Sequence, residues 1–139
     1  MNSSYVPAAL RRQVVERAGG RCEYCGISES VTFAPHEIDH IIARKHGGDT
    51  EAGNLALSCI LCNKYKGSDI ASVDPETEQI VPLYHPRQER WIDHFELHDA
   101  HIMPLTPTGR TTVRLLQSNQ PDRVEERRLL IEIGVFSVL

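Results

Sequence analysis

A chain of 139 residues with a formal net charge of −4 suits a single compact module, and argues against a surface that attracts nucleic acid everywhere. No apolar run reaches transmembrane length and the start carries no signal pattern, so the expectation is a soluble, cytoplasmic protein with no membrane partner. Aromatic residues make up only 6% of the chain. A core of this size then needs a second source of stability.

In chain order, residues 7–17 read as a helix: Pro7 suits a first turn, and Leu10, Val14, Val15 and Ala18 form an apolar stripe. Gly19-Gly20 ends it, and the sequence RCEYCG follows as a tight cysteine turn. Val31 to Ile42 holds two short apolar stretches broken by Pro35, the second of which, EIDHII, reads as a strand. A glycine-rich loop over 43–54 leads to a second short strand, LALSC, and then to a short helix expected over CNKYKGSDIA. After Val73 come a turn (DPETEQ) and an extended run (IVPLYHPR), whose Pro82 and Pro86 keep it out of a central strand. RWIDHFELH and HIMPL are expected to pair as a hairpin across Asp99-Ala100. TPTGRTTVRLLQSN turns into a helix, and the last helix opens at Pro121-Asp122 and closes at Gly134.

The four cysteines fall in two close pairs, Cys22-x2-Cys25 and Cys59-x2-Cys62. In a reducing compartment such pairs point to metal rather than to disulfides. Each turn aims two sulfurs at one point, and two turns supply the closed four-thiolate set of a structural zinc site. Redox chemistry normally needs only one pair.

Four polar residues lie between these pairs or just after the second: Asp39, His40, Asn54 and Asn63. Asp39 and Asn63 both offer oxygen, which suits Mg2+ or Mn2+ better than zinc. A histidine beside such a metal serves as a general base near neutral pH. Asp39 and His40 are neighbours on a strand, however, and neighbours point to opposite faces. For both to reach one site, the strand is expected to twist out of register near His40.

The stretch EIDHIIARKHGGDTEAGNLALSCILCNKYKG resembles the HNH endonucleases, the ββα-metal nuclease fold, in its zinc-stapled form. The matching pieces are Asp39-His40, Gly47-Gly48, Asn54-Leu55, Cys59-x2-Cys62-Asn63 and Lys66, with Cys22 and Cys25 upstream. The resemblance implies that His40 activates the attacking water while Asp39 and Asn63 hold one divalent cation. It implies that Asn54 holds the loop after His40 by backbone hydrogen bonds, and that the substrate is DNA, cut to leave 5′-phosphate and 3′-hydroxyl ends. Many members carry a final histidine where this chain has Asn63, which makes it an H-N-N variant.

Around this set, Arg44, Lys45, Lys64 and Lys66 are candidates for phosphate contact, with Arg87 further along. His36 and His46 read as ordinary loop residues, and Tyr84, Trp91 and Phe95 as core beside His85 and His94. The run Arg123–Ile133, with Glu125 and Glu126 beside Arg127 and Arg128, reads as a solvated helix face. The expected class is α+β: a zinc-stapled ββα nuclease core with its N-terminal helix over 1–74, and a C-terminal hairpin-plus-helix extension over 75–139 packed on it. The rival readings are a non-catalytic zinc module that binds nucleic acid or protein, and a nuclease acting on RNA or branched DNA. Oligomeric state is not readable from the sequence.

Overall fold

The computed structural model describes residues 5–136; the outermost ends of the two expected regions lie outside them. Helix α1 (Ala8–Ala18) packs on a two-stranded antiparallel sheet of β1 (Glu37–His40) and β2 (Leu55–Ser58). Helix α2 (Ile60–Lys66) follows β2 directly. The order β1–β2–α2 is the expected ββα unit. Next come the hairpin β3 (Ala71–Val73) with β4 (Ile80–Pro82), a helical turn α3 (Trp91–His94), and the hairpin β5 (Phe95–His98) with β6 (His101–Pro104). Helices α4 (Pro107–Leu115) and α5 (Pro121–Glu132) complete the fold.

Strand alternation sorts β2 between two cores. Leu55 and Leu57 face α1, where they meet Val14 with Leu10 and Val15. Ala56 faces the second, larger cluster, which joins the four cysteines and Tyr24 to Tyr84, Trp91, Phe95, Ile102 and Leu116. The C-terminal half is therefore rooted in the same core as the cysteine turns. The Trp91 indole N–H also donates to the Tyr24 carbonyl at 3.0 Å.

Three elements differ from the sequence expectation. Helix α2 stops at Lys66, because Gly67 takes φ +53 and the chain turns back as β3. Ile70 and Ala71 thus belong with the second hairpin, where Ala71 pairs with Pro82, and this hairpin straddles residue 74. Trp91 to His94 form a helical turn rather than strand, so the hairpin starts only at Phe95. Helix α5 keeps Glu125 and Glu126 exposed, with Arg128 beside Glu125 at 3.3 Å, but two of its arginines leave the expected solvated face. Arg123 and Arg127 are buried, and Arg127 donates to the carbonyls of Ala100 (2.6 Å) and Ser118 (2.9 Å).

Candidate active site and metal centre

The cysteine turns bring four buried sulfurs together, all within 4.8 Å of one another. A tetrahedron of thiolates about 2.3 Å from zinc has sulfurs roughly 3.8 Å apart, and Cys25 and Cys59 are 3.7 Å apart. Within each turn a backbone N–H donates to the first sulfur: Cys25 to Cys22 and Cys62 to Cys59, both at 3.4 Å. These donors stabilise thiolates. Arg123, from α5, adds a cationic donor 3.1 Å from the Cys62 sulfur and 3.8 Å from that of Cys59. The set fits a structural zinc ion, whose four-thiolate shell carries excess negative charge.

A second site lies along β1. Glu37, Ile38, Asp39, His40 and Asn63 line one cavity of about 320 Å³, together with Val6 and Arg11 of the α1 end. Pairing of β1 with β2 is regular through Asp39–Ala56 and His40–Leu55. The expected loss of register near His40 does not occur. Instead β1 has one unpaired edge among the described residues, and residues of both its faces, Glu37 and Asp39 with Ile38 and His40, line the same cavity.

The two neighbours are held from different sides. The Asp39 carboxylate is buried, accepting from the Tyr24 hydroxyl at 2.6 Å and from the Lys66 ammonium at 3.2 Å. Burial pushes its pKa up, against the opposite pull of Lys66 and Tyr24. Lys66 also donates to the carbonyls of His40 and Ile41. His40 Nε2 lies 2.8 Å from the Thr50 hydroxyl. Burial, and after it the charges of Arg44 and Lys66, lower the pKa of the imidazole. Asn63 donates its amide nitrogen to Glu37 at 2.6 Å. A carboxylate only accepts, so this bond fixes the amide and leaves its oxygen facing away from Glu37, able to accept or to ligate.

Asn54 ties down the loop that follows His40. Its side-chain oxygen accepts from the Ile42 N–H, and its amide donates to the carbonyls of Ile42 and Asp49, all at 2.9 Å. The loop closes so tightly that a Cβ on Gly48 would lie 1.7 Å from the Ile42 carbonyl oxygen and 2.7 Å from the Asn54 amide. Only glycine fits there.

The suggested phosphate contacts separate. Lys45 and Lys64 are exposed, and Arg44 leans toward Asp49 at 3.8 Å and the Gly48 carbonyl. Lys66 is 2% exposed and spent on Asp39 and strand carbonyls, so it anchors α2 to β1 rather than meeting substrate. Arg87 is paired with Glu23, which itself accepts from the Leu57 N–H. Both placements correct the sequence expectation, for the same reason: a carboxylate near in space but far in sequence takes the cation. His36 is structural, with its ring on the Ile27 carbonyl at 2.8 Å. Sequence reasoning did not single out Tyr24, Thr50, Glu37, Arg11 or Arg123. Only Glu37, two residues before Asp39 in the strand and so on its face, carried a signal in the spacing.

Residues 22–69 match the family model for HNH endonucleases. The chain is 41% identical over 59 residues to the CRISPR-associated endonuclease Cas9 of Corynebacterium diphtheriae, an alignment covering 42% of this chain and 5% of that protein. It is 25% identical over 132 residues to the Septu protein PtuB of Bacillus thuringiensis, covering 94% of this chain and 49% of that one. The chain thus spans a small fraction of the first relative and about half of the second. No solved structure matches at comparable significance. Among the described residues no helix is long and apolar enough to cross a membrane. The segment from Cys22 to Asp69, which carries both cysteine turns and most of the β1 cavity wall, belongs to the HNH endonuclease family.

Proposed function

We propose that the chain is a metal-dependent endonuclease that hydrolyses DNA phosphodiester bonds at the β1 cavity. The observation that carries the reading is the convergence of Asp39, His40 and Asn63 on one cavity wall. His40 is the general base. Burial, with the charges of Arg44 and Lys66, lowers the pKa of its imidazole and so favours the neutral, proton-accepting form near pH 7, while the Thr50 hydroxyl holds the ring at Nε2. Asn54 and Gly48 fix the loop behind it. The oxygens of Asp39 and Asn63 are the ligands for one Mg2+ or Mn2+, a cation that takes few protein ligands and completes its shell with water and substrate. When bound, the ion would supply positive charge to the scissile phosphate and its leaving oxygen.

The four cysteines hold structural zinc in this reading, and they suit a reducing, cytoplasmic setting. Lys45, Lys64 and Arg44 contact flanking phosphates without reading sequence. Residues 75–139 act as an extension packed on the nuclease core of residues 1–74. Purified, zinc-loaded protein should nick supercoiled plasmid when Mg2+ or Mn2+ is added and not in chelator. Competing linear duplex, single-stranded, branched and RNA substrates sort the substrate class. A protein that binds zinc but shows no divalent-dependent cleavage of any of these is the non-catalytic module instead.

A further inference from the structure

The cations suggested by the sequence leave the β1 cavity without positive charge: Lys66 is buried on Asp39, Arg87 is paired with Glu23, and Arg44, Lys45 and Lys64 are not part of its wall. The cavity does contain one cationic side chain, Arg11. It comes from α1, outside the segment that matches the HNH model. Residues 11, 14, 15 and 18 share a helix face. Val14 is fully buried against Leu55 and Leu57, and Val15 and Ala18 pack on the same cluster. Arg11 therefore projects from the sheet-facing side of α1, one turn before the buried contact.

The helix cannot drift from this position. Arg17, near its other end, donates to the carbonyls of Ala52 (2.9 Å) and Leu55 (2.6 Å). Arg11 is exposed to solvent, and its side chain makes no hydrogen bond or ion pair among the described residues. Two carboxylates, Glu37 and Asp39, share its cavity, yet each is engaged elsewhere, by Asn63 and by Lys66 with Tyr24. A guanidinium positioned by a rigid helix and unspent on the protein is suited to bidentate binding of phosphate oxygens.

We propose that Arg11 binds a backbone phosphate of the substrate in the β1 cavity, holding non-bridging oxygens opposite the Asp39–Asn63 cation site. The assignment rests on the nuclease reading. It names a residue of α1 as part of the site, so that the strand being cut lies between α1 and β1. The contact is to phosphate, and it is the same for any sequence.

The test uses full-length, zinc-loaded protein and a short duplex of arbitrary sequence. Binding is followed by fluorescence anisotropy on a His40→Ala background with Mg2+ present, so that the duplex stays intact. Arg11→Gln should weaken binding and reduce the slope of log K against log salt by about 1, the signature of one lost phosphate contact. With His40 intact, Arg11→Gln should lower kcat/KM about tenfold or more, with Arg11→Lys intermediate because the charge remains but the fork is lost. Arg12→Ala, which removes the neighbouring exposed charge, should leave cleavage near wild type. Equal melting temperature and zinc content of the variants show that the fold is kept. If wild type cuts and Arg11→Gln cuts as well, with an unchanged salt slope, the Arg11 assignment is wrong and the nuclease reading stands. If Arg12→Ala and Arg11→Gln lose the same amount, the effect is general charge and the assignment is wrong. A wild type that neither binds nor cuts nucleic acid overturns the nuclease reading, and this inference with it.

Discussion

The two halves of the chain solve one problem by different chemistry. In the N-terminal half the elements are short: β1 and β2 have four residues each and α2 has seven. Four thiolates join the turn after α1 to the start of α2. In the C-terminal half the strands are equally slight, at three or four residues, but arginines clamp the hairpins and helices together. Arg127 joins the turn of the β5–β6 hairpin to the end of α4 through the Ala100 and Ser118 carbonyls. Arg123 takes the Leu116 carbonyl at 2.7 Å, and Arg110 grips the buried Asp74 through two nitrogens. A guanidinium with five donors serves where several carbonyls or a carboxylate converge, much as a metal serves where several thiolates do. Arg123 belongs to both schemes, since the same side chain also reaches the Cys62 sulfur.

This contrast predicts different vulnerabilities. Removing zinc, or Cys59→Ser, should have the largest effect: structural zinc sites typically contribute about 10–16 kcal/mol, more than so small a core can replace. Circular dichroism should show loss of cooperative melting, and atomic absorption should give one zinc per folded chain. Melting unchanged by a strong chelator would remove the metal from the account. Next comes Arg123→Ala, which leaves buried sulfurs and a carbonyl without their donor. A loss of about 3 kcal/mol is expected in denaturant unfolding, as for other broken buried charge pairs, together with faster zinc transfer to a chromogenic chelator. A loss of stability alone, with zinc transfer unchanged, would confine Arg123 to the C-terminal half.

The smallest effect is a pH dependence. The hydrogen bonds from Arg110 hold the Asp74 carboxyl below the usual carboxylate range. A depressed carboxyl contributes stability above its unfolded pKa, near 3.9, and that contribution fades as pH falls through the folded value. Melting temperature should therefore drop on acidification below about pH 4. In Asp74→Asn, which is less stable at neutral pH, that part of the drop should be absent. An identical acid profile in the two proteins would deny the clamp its role.

The legible parts of the sequence were those whose chemistry is local. Two cysteine turns, the Asp39-His40 pair and Asn63, the fourth residue of α2, announce themselves by spacing. The Gly47-Gly48 loop and Asn54 do so by turn chemistry. What the sequence hid depends on which groups meet across long separations. Arg123 and Arg127 look like a solvated run because nothing adjacent says that they will face orphan carbonyls and sulfurs. Lys66 looks like a substrate contact because Asp39, the group that takes it, lies 27 residues away. Thr50 and Arg11 are ordinary polar residues until the loop and α1 bring them to His40 and its cavity. The meeting of Asp39 and His40 at one cavity was hidden in the same way: strand periodicity describes faces, not the open strand edge beside them.

The most direct test of the central claim compares wild type with His40→Ala in plasmid nicking, each with its zinc content and melting temperature verified. The account predicts that His40→Ala keeps its zinc and its fold and loses divalent-dependent cleavage by about 10²–10⁴-fold, the scale of a lost general base. A folded, zinc-loaded His40→Ala protein that nicks at the wild-type rate would contradict it.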